Sequence, residues 1–468
     1  MKVGIVGGGP AGLTCALELS RHNIEVEVFE AESRVGGMSK SFTLWNQIVD
    51  LGPHRFFSSD RRINDFWLSQ IKDDYILVDR LTRIFYNKKF FYYPLKGFDA
   101  LFKLGPVEAT MCVLSYMRAQ FNEKGKETSF EEWVSNRFGY RLYSIFFKSY
   151  TERLWGIPCT ELDADFASQR IKGLNLYEAI KSAVFGGGGK KHKTLVDQFA
   201  YPKLGCGQVY DNMAENIKAA GGKIHLNTKI KKIITKDSVA CGLETTDGKI
   251  YQFDYIVSSA PFTDMICSID DFDKDIRDIA EKLKYRNTIL VYLQIKNTDI
   301  FKDNWIYVHA KNMNMGRISN FRNWSPHMWG NEDTSIIALE YWAYDNDDLW
   351  KKSDADLIEL AKMEIAETGL VKLADIQNGH VVKMHRSYPV YNRGYKERIA
   401  KLQEAADTIK NLIFIGRNGS FKYNNQDHSI LMGLLAAENI YSGSNNNLWA
   451  VNTDYDYQEG ARSVIEKK

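Results

Sequence analysis

Apolar and polar positions change rhythm several times along this chain. Residues 2–6 form a short apolar run suited to a buried parallel strand, which Gly7, Gly9 and Gly12 interrupt. A helix-period stretch follows from near Ala11, and Val26, Val28 and Phe29 make a second strand closed by Glu30. Residues 41–59 alternate as far as Leu51 and break at Gly52-Pro53, which holds His54 on a stiff loop. Residues 76–94 read as two strands, ILVDRLTRIFY and KFFYYP, joined by a turn at Asn87-Lys88-Lys89. From 95 to about 183 the period becomes helical and predicts a helical insertion. Its most membrane-like window, 104–116, carries Glu108 and is too short to span a bilayer, so it reads as a core helix. The insertion ends in four glycines and a basic cluster over 186–194. That segment is either a mobile linker or a flap that brings Lys190, Lys191 and Lys193 to an anionic substrate. Beyond 201 come a loop, a helix near 208–220, a glycine stop and strands through 258. Runs at 288–295, 305–309, 316–321 and 335–342 predict a second sheet. An amphipathic helix at 357–368, a last buried strand at 412–416, a last helix at 430–441 and a polar tail complete the pattern.

The first thirty residues therefore predict a dinucleotide-binding strand–helix–strand unit with a G-x-G-x-x-G turn. Gly7 permits the tight turn, Gly9 leaves room for a pyrophosphate, and Gly12 lets the helix pack against the strand. Phosphates would sit on the open N–H groups at the helix start, beside Pro10 and Ala11, and Glu30 is spaced to accept from ribose hydroxyls. Next comes Ala31, and then a second glycine turn, Gly36-Gly37, between Arg34 and Met38-Ser39. A cofactor of two nucleotides brings the chain past its pyrophosphate twice, which favours FAD over NAD. An edge position at Ile230 is suited to a backbone contact with adenine.

Composition narrows the picture without redirecting it. The 468 residues are 44% apolar and carry a formal charge of +2, enough for two or three domains and too little net charge to steer nucleic acid. The six cysteines are scattered, with no C-x-x-C pair or metal-ligand spacing, and read as reduced, buried thiols; no metal site is expected. No signal peptide is evident at the start, and the expected location is cytoplasmic.

A second polar constellation, GRNGSFKYNNQDHSILMG, runs from Gly416 to Gly433 between the last strand and the last helix. Arg417 offers a guanidinium fork suited to phosphate and Tyr423 a phenol beside it. Asn425, Gln426 and Asp427 add polar contacts near a helix start, unless Asp427 serves only as the helix cap. His54 is open to either a structural or a functional role.

With these motifs in place, the chain resembles flavoenzymes of the UDP-galactopyranose mutase type, within the wider amine oxidase and protoporphyrinogen oxidase superfamily. The resemblance rests on GGGPAG, RVGGMS, DLGPHRFFS, FGYRLYSIFFKSYTERLWGIP, SQRIKGL, NWIY, MGRISNF, HRSYPVY and GRNGSFKYNNQDHS, in that order. It implies an α/β fold: a Rossmann-like FAD-binding domain of the GR2 type over 1–45, 195–262 and 405–445, a helical insertion over 95–194, and a separate antiparallel-sheet substrate domain over 46–94 and 263–404. The tail would be 446–468. It also implies noncovalent FAD, reduced in the mutase reaction, with NAD(P)H as reductant near Arg80 and Thr82.

The resemblance further implies that His54 lies beside the flavin and that Arg317 and Arg417 clamp the diphosphate of a nucleotide sugar. Arg170 would be another basic residue of the cleft. Tyr307, Tyr388 and Tyr423 would bind phosphate, Trp155 and Asn425 would lie around the substrate, and Gln426 and Ser429 would meet the flavin end of a cofactor also contacted by Gly52, Gly416 and Arg417. The implied activity is a redox-neutral pyranose–furanose mutase serving cell-surface polysaccharide synthesis, or alternatively an FAD-dependent oxidase of amines or porphyrinogens. The pattern departs from the mutases at Pro53, Arg55, Leu95, Lys96 and Thr151, and in a shorter loop between Tyr423 and Asn425, which counts against UDP and galactose in particular. Oligomeric state is open.

Overall fold

The computed structural model describes residues 1–95, 97–121, 125–170 and 198–451. The glycine-rich segment 186–194, Lys96 and the tail from 452 lie outside the described residues, as does the side chain of Arg170. Two sheets carry the architecture. The first is parallel and five-stranded, in the order Leu412–Phe414, Tyr255–Ser258, Lys2–Val6, Glu25–Phe29, Lys223–His225. Its central strands are Val- and Ile-rich and buried on both faces, as a parallel sheet requires. Helix Pro10–Arg21 is buried almost all round because the last helix, Gln426–Ser442, packs on it. Gly433 permits that approach, since a Cβ there would come within 2.6 Å of the Ala11 carbonyl oxygen.

The second sheet has seven strands, in the order Ile376–Pro389, Tyr285–Ile295, Ser335–Ala343, Arg317–Asn320, Trp305–Val308, Thr82–Tyr86, Lys89–Tyr92. It is antiparallel apart from one parallel junction, between Trp305–Val308 and Thr82–Tyr86. Tyr285–Ile295 is buried at every position. A row of directly paired residues crosses this sheet: Ile84, Tyr307, Arg317, Glu340, Leu290 and Val382. Paired residues point to the same face of a sheet, so this row sets one wall of the cleft described below.

Three expectations need correction. The apolar run 76–86 is not one strand: Tyr75–Asp79 pairs with Gln198–Pro202, and only Thr82–Tyr86 joins the large sheet. The polar pair Asp79-Arg80 marks the break. Helix Pro106–Phe121 is not a core helix, because Cys112 is its only buried residue. The last helix begins at Gln426 rather than 430, which puts Gln426, Asp427 and Ser429 in its first turn. The segment read as helical contains helices Gly97–Leu104, Pro106–Phe121, Phe130–Phe138, Tyr140–Tyr143, Ser149–Trp155 and Ala164–Arg170, with a π-helical turn at Ser144–Lys148. All six cysteines are free; Cys241 and Cys267 are half-buried and the other four buried.

Candidate active site

At the carboxyl end of the parallel sheet the two glycine turns meet. Gly7 takes φ +100°, a conformation that favours glycine, and its N–H donates to the Phe29 carbonyl at 2.8 Å. A Cβ on Gly12 would strike the Gly7 carbonyl, and one on Gly37 would come within 3.1 Å of the Gly9 Cα. The turns are therefore held backbone to backbone, with the Gly36 N–H donating to the Gly8 carbonyl at 2.8 Å. No side chain caps helix Pro10–Arg21, so its first N–H groups remain available to an anion. Glu30 is buried and accepts from the N–H of Gly8 (2.7 Å) and of Glu32 (2.9 Å). Burial raises its pKa against those hydrogen bonds. Gly7, Gly9, Pro10, Ala11, Glu30, Ala31, Gly37, Met38, Ser39, Ile230, Gly416, Gln426 and Ser429 all line one cavity of 1520 Å3. That exceeds the roughly 300–1,000 Å3 of a single small-molecule site and leaves room for a cofactor and a substrate together.

Arg34 departs from this set. Its guanidinium is half exposed and lies 3.4 Å from Asp211, because the turn after Glu30 carries it outward. Gly36 and Gly52 do not reach the cavity surface; both take positive φ and shape the turns behind it.

The loop after Asp50 leads into the middle of the cavity. Asp50 is fully buried and accepts from Ser41 Oγ (2.5 Å), the Tyr201 hydroxyl and the Cys206 N–H (3.1 Å). Burial, only partly offset by these bonds, pushes its pKa up to about 7. Four residues on, His54 Nε2 lies 2.8 Å from the Leu51 carbonyl, which makes it the protonated nitrogen. Burial, then Arg417 and Arg317, drive the His54 pKa down to about 3, so the ring is a neutral donor that stiffens its own loop.

Both arginines reach the cavity beside it. Arg317 Nε donates to Glu340 Oε2 at 2.6 Å, and a second bond from Nη2 completes the pair. The other Glu340 oxygen accepts from Trp342 Nε1 (3.0 Å) and from the Tyr388 hydroxyl (3.2 Å). Burial works against the Arg317 charge, but Glu340 and the neighbouring phenols outweigh it and hold its pKa well above normal. Arg417 is held differently. It donates to the carbonyls of Asn424 (2.8 Å) and Ser387 (3.4 Å), and its guanidinium lies over the rings of Tyr423 (4.7 Å) and Tyr388 (5.5 Å). Tyr388 is thus shared by the two arginines, and Tyr307 and Asn425 line the same region.

Trp155 requires correction. It is fully buried and does not line the cavity; its ring backs Phe166 (4.7 Å), Tyr423 (5.8 Å) and Tyr388 (6.1 Å), so it supports the wall. Thr82 is likewise buried in its strand, whereas Arg80 reaches the cavity with its guanidinium over Tyr93 and Trp305. Asp427 is no cap: Asn425 holds the cap position, and Asp427 sits buried on the cavity, 2.9 Å from His428 Nδ1, with Oδ2 lacking a hydrogen-bond partner. An unpartnered buried acceptor in a helix's first turn fits the hydroxyl donors of a ribityl chain.

Glu340, Tyr150 and His309 are not singled out as site residues by the sequence. Glu340 did leave a signal there, as the lone charge in the apolar strand SIIALEYWA.

The model of the family described as flavin containing amine oxidoreductase matches residues 10–441. The chain belongs to that family. It is a flavoenzyme of the amine oxidase superfamily. Its fold is similar to a crystal structure of reduced UDP-galactopyranose mutase, with TM-score 0.84 and 20% identity over 97% of this chain and 99% of that one. In sequence it is 27% identical to the probable UDP-galactopyranose mutase of Klebsiella pneumoniae, over 34% of this chain and 42% of that enzyme. It is 22% identical to coproporphyrinogen III oxidase of Staphylococcus aureus (strain NCTC 8325 / PS 47), over 94% of this chain and 98% of the oxidase. Among the described residues no helix of this flavoenzyme is long and apolar enough to cross a membrane, and no group of side chains is arranged to hold a metal ion.

Proposed function

We propose that this flavoenzyme is a redox-neutral mutase that interconverts pyranose and furanose forms of a sugar carried on a diphosphate, with nucleotide sugars the form its resemblance suggests. The observation that carries this reading is the pair Arg317 and Arg417, which share Tyr388 and face the loop of His54. Reduced FAD, when bound, would supply a nucleophile for the anomeric carbon; Gly9, Gly37, Glu30 and the first turns of helices Pro10–Arg21 and Gln426–Ser442 would hold it. Arg317 and Arg417 bind the departing diphosphate by charge-assisted hydrogen bonds and keep it in place until the ring closes again. Glu340 positions Arg317, while Arg417, which among the described residues meets carbonyls and ring faces, remains open to an anionic ligand. His54, neutral, orients the loop rather than shuttling a proton.

The test is to reduce the purified protein with dithionite and offer UDP-galactofuranose and other nucleotide sugars without oxygen. Isomerised product is expected from a sugar diphosphate of one kind, nucleotide-linked or lipid-linked, and Arg317→Ala and Arg417→Ala should each weaken binding of that sugar diphosphate more than tenfold without releasing FAD. No isomerisation together with unchanged affinity in both variants would sink the reading. A second reading, an oxidase of porphyrinogens, is favoured by the nearly full-length similarity to the Staphylococcus oxidase. It would show itself as steady oxygen consumption with a porphyrinogen.

A further inference from the structure

The clamp accounts for a diphosphate and for what lies between it and the flavin. The part of the cavity next to the clamp is also lined by the segment 97–170. Among the described residues, that segment lines the cavity with Phe130, Phe146, Phe147, Leu154 and Phe166, and beyond these only Tyr150 and Thr151. The wall adjoins the clamp on both sides: Phe166 meets Tyr423 at 6.3 Å, and Tyr150 meets Tyr307 at 5.5 Å. The wall's described side chains include no carboxylate, amide or cation. A nucleobase buried there would leave most of its hydrogen-bonding edge unpaired, which loses affinity, whereas a hydrocarbon chain needs no partner.

The outer side of the same segment is also apolar. On helix Pro106–Phe121, Val107 (78% exposed), Met111, Leu114, Met117 and Phe121 (86%) face outward, and Phe102 before it is 88% exposed. At 100° per residue these helix positions fall within an arc of about 120°, a single stripe along the helix. The carboxylates beside it are already neutralised, Asp99 by Lys103 and Glu108 by Arg141. Arg118, exposed next to Met117, has no ion pair among the described residues. An apolar stripe with residual positive charge is the form of a helix lying in the plane of an anionic lipid surface.

We infer that the substrate's diphosphate carries a long hydrocarbon chain of the isoprenoid type in place of a nucleoside, and that the stripe from Phe102 to Phe121 seats the protein on the lipid surface that holds it. This rests on the diphosphate clamp of the proposed function, but not on the sugar chemistry.

The first experiment titrates the FAD-loaded protein with farnesyl diphosphate and with UDP, which share the diphosphate and differ beyond it. Farnesyl diphosphate is expected to bind at least tenfold more tightly. Phe147→Asn should abolish that preference. UDP binding as well as or better than farnesyl diphosphate overturns the inference; if UDP-galactofuranose is then isomerised, the proposed function stands without it. Tighter farnesyl diphosphate binding with no isomerisation of any sugar diphosphate, lipid-linked or nucleotide-linked, has the opposite effect, upholding the ligand class and removing the mutase reading. The second experiment floats the protein with phosphatidylcholine–phosphatidylglycerol vesicles. Wild type should rise with the vesicles, and the double variant Val107→Glu, Leu114→Glu should stay below while keeping its farnesyl diphosphate affinity. Failure of the wild type to float, or a dimer in solution that the double variant dissociates, overturns the lipid surface as occupant of the stripe.

Discussion

Glu340 shows how one side chain sets the electrostatics of the cleft. Its carboxylate, buried in the centre of a seven-stranded sheet, accepts from Arg317, Trp342 and Tyr388, so every lone-pair direction is occupied. Glu340→Gln leaves the Arg317 charge buried without a counter-charge, and the expected cost is about 3–5 kcal/mol in urea unfolding. Asp50 works the other way. Its pKa rises from an ordinary 3.8 to about 7 in the folded chain, so the favourable contribution is complete below the unfolded value and is lost as pH climbs toward 7. Comparing urea unfolding at pH 4 and pH 8, Asp50→Asn should flatten the pH dependence by up to ~4 kcal/mol; an unchanged slope would show that Asp50 is not the group responsible. Both residues were poorly legible in the sequence. A lone acid in an apolar run signals only that something must pair with it. Its partner, Arg317, is 23 residues away in the chain but directly opposite in strand register.

At the scale of elements, the helical segment and the large sheet are joined by buried cations that bind carbonyls. Arg153, near the end of helix Ser149–Trp155, donates to the carbonyls of Val308 (2.8 Å), Met315 (2.9 Å) and Ala310 (2.5 Å). Arg286 reaches from the sheet to the carbonyls of Arg153 and Leu154, and Gly156 leaves the space its guanidinium needs. Together they hold the connection 309–316, and with it Tyr307 and Arg317 at its two ends. Arg153→Met removes all three carbonyl contacts and should destabilise the protein by about 3 kcal/mol. Amide hydrogen exchange over 308–316 should quicken while the N-terminal glycine turns stay protected; equal protection everywhere would mean that the latch is redundant. Most helices and strands were visible in the sequence as periodicity. The misread elements have a common cause: periodicity reports which face is apolar, not what covers it. Helix Pro106–Phe121 thus has the periodicity of a core helix, although its apolar face points outward.

At the scale of the whole molecule, the cavity proposed to hold the flavin draws on residues from both ends of the chain. Gly416 lies against Ala11, and a Cβ on Gly416 would come within 2.8 Å of the Ala11 Cβ. Cofactor binding should therefore stabilise the molecule as a unit. Stripping the flavin is expected to lower Tm, and adding FAD at about a thousand times its Kd should restore roughly 4 kcal/mol. Gly37→Val, strained at φ +54° and directed at Gly9, should yield colourless protein with native far-UV circular dichroism; a yellow variant would place the cofactor elsewhere. By itself the sequence determined the dinucleotide cradle, because a glycine turn, its helix and its acid are neighbours in the chain and their geometry is local. It also marked Arg417 as a guanidinium suited to phosphate, whereas Arg317 entered only through the family resemblance. Only the tertiary structure decided that Glu340 restrains one of them and Tyr388 joins both, that Trp155 stands behind the wall and Arg34 turns outward, and that the wall beyond the clamp is hydrocarbon-like. Those facts depend on strand register and on packing between distant segments, and neither is written in the spacing of residues along the chain.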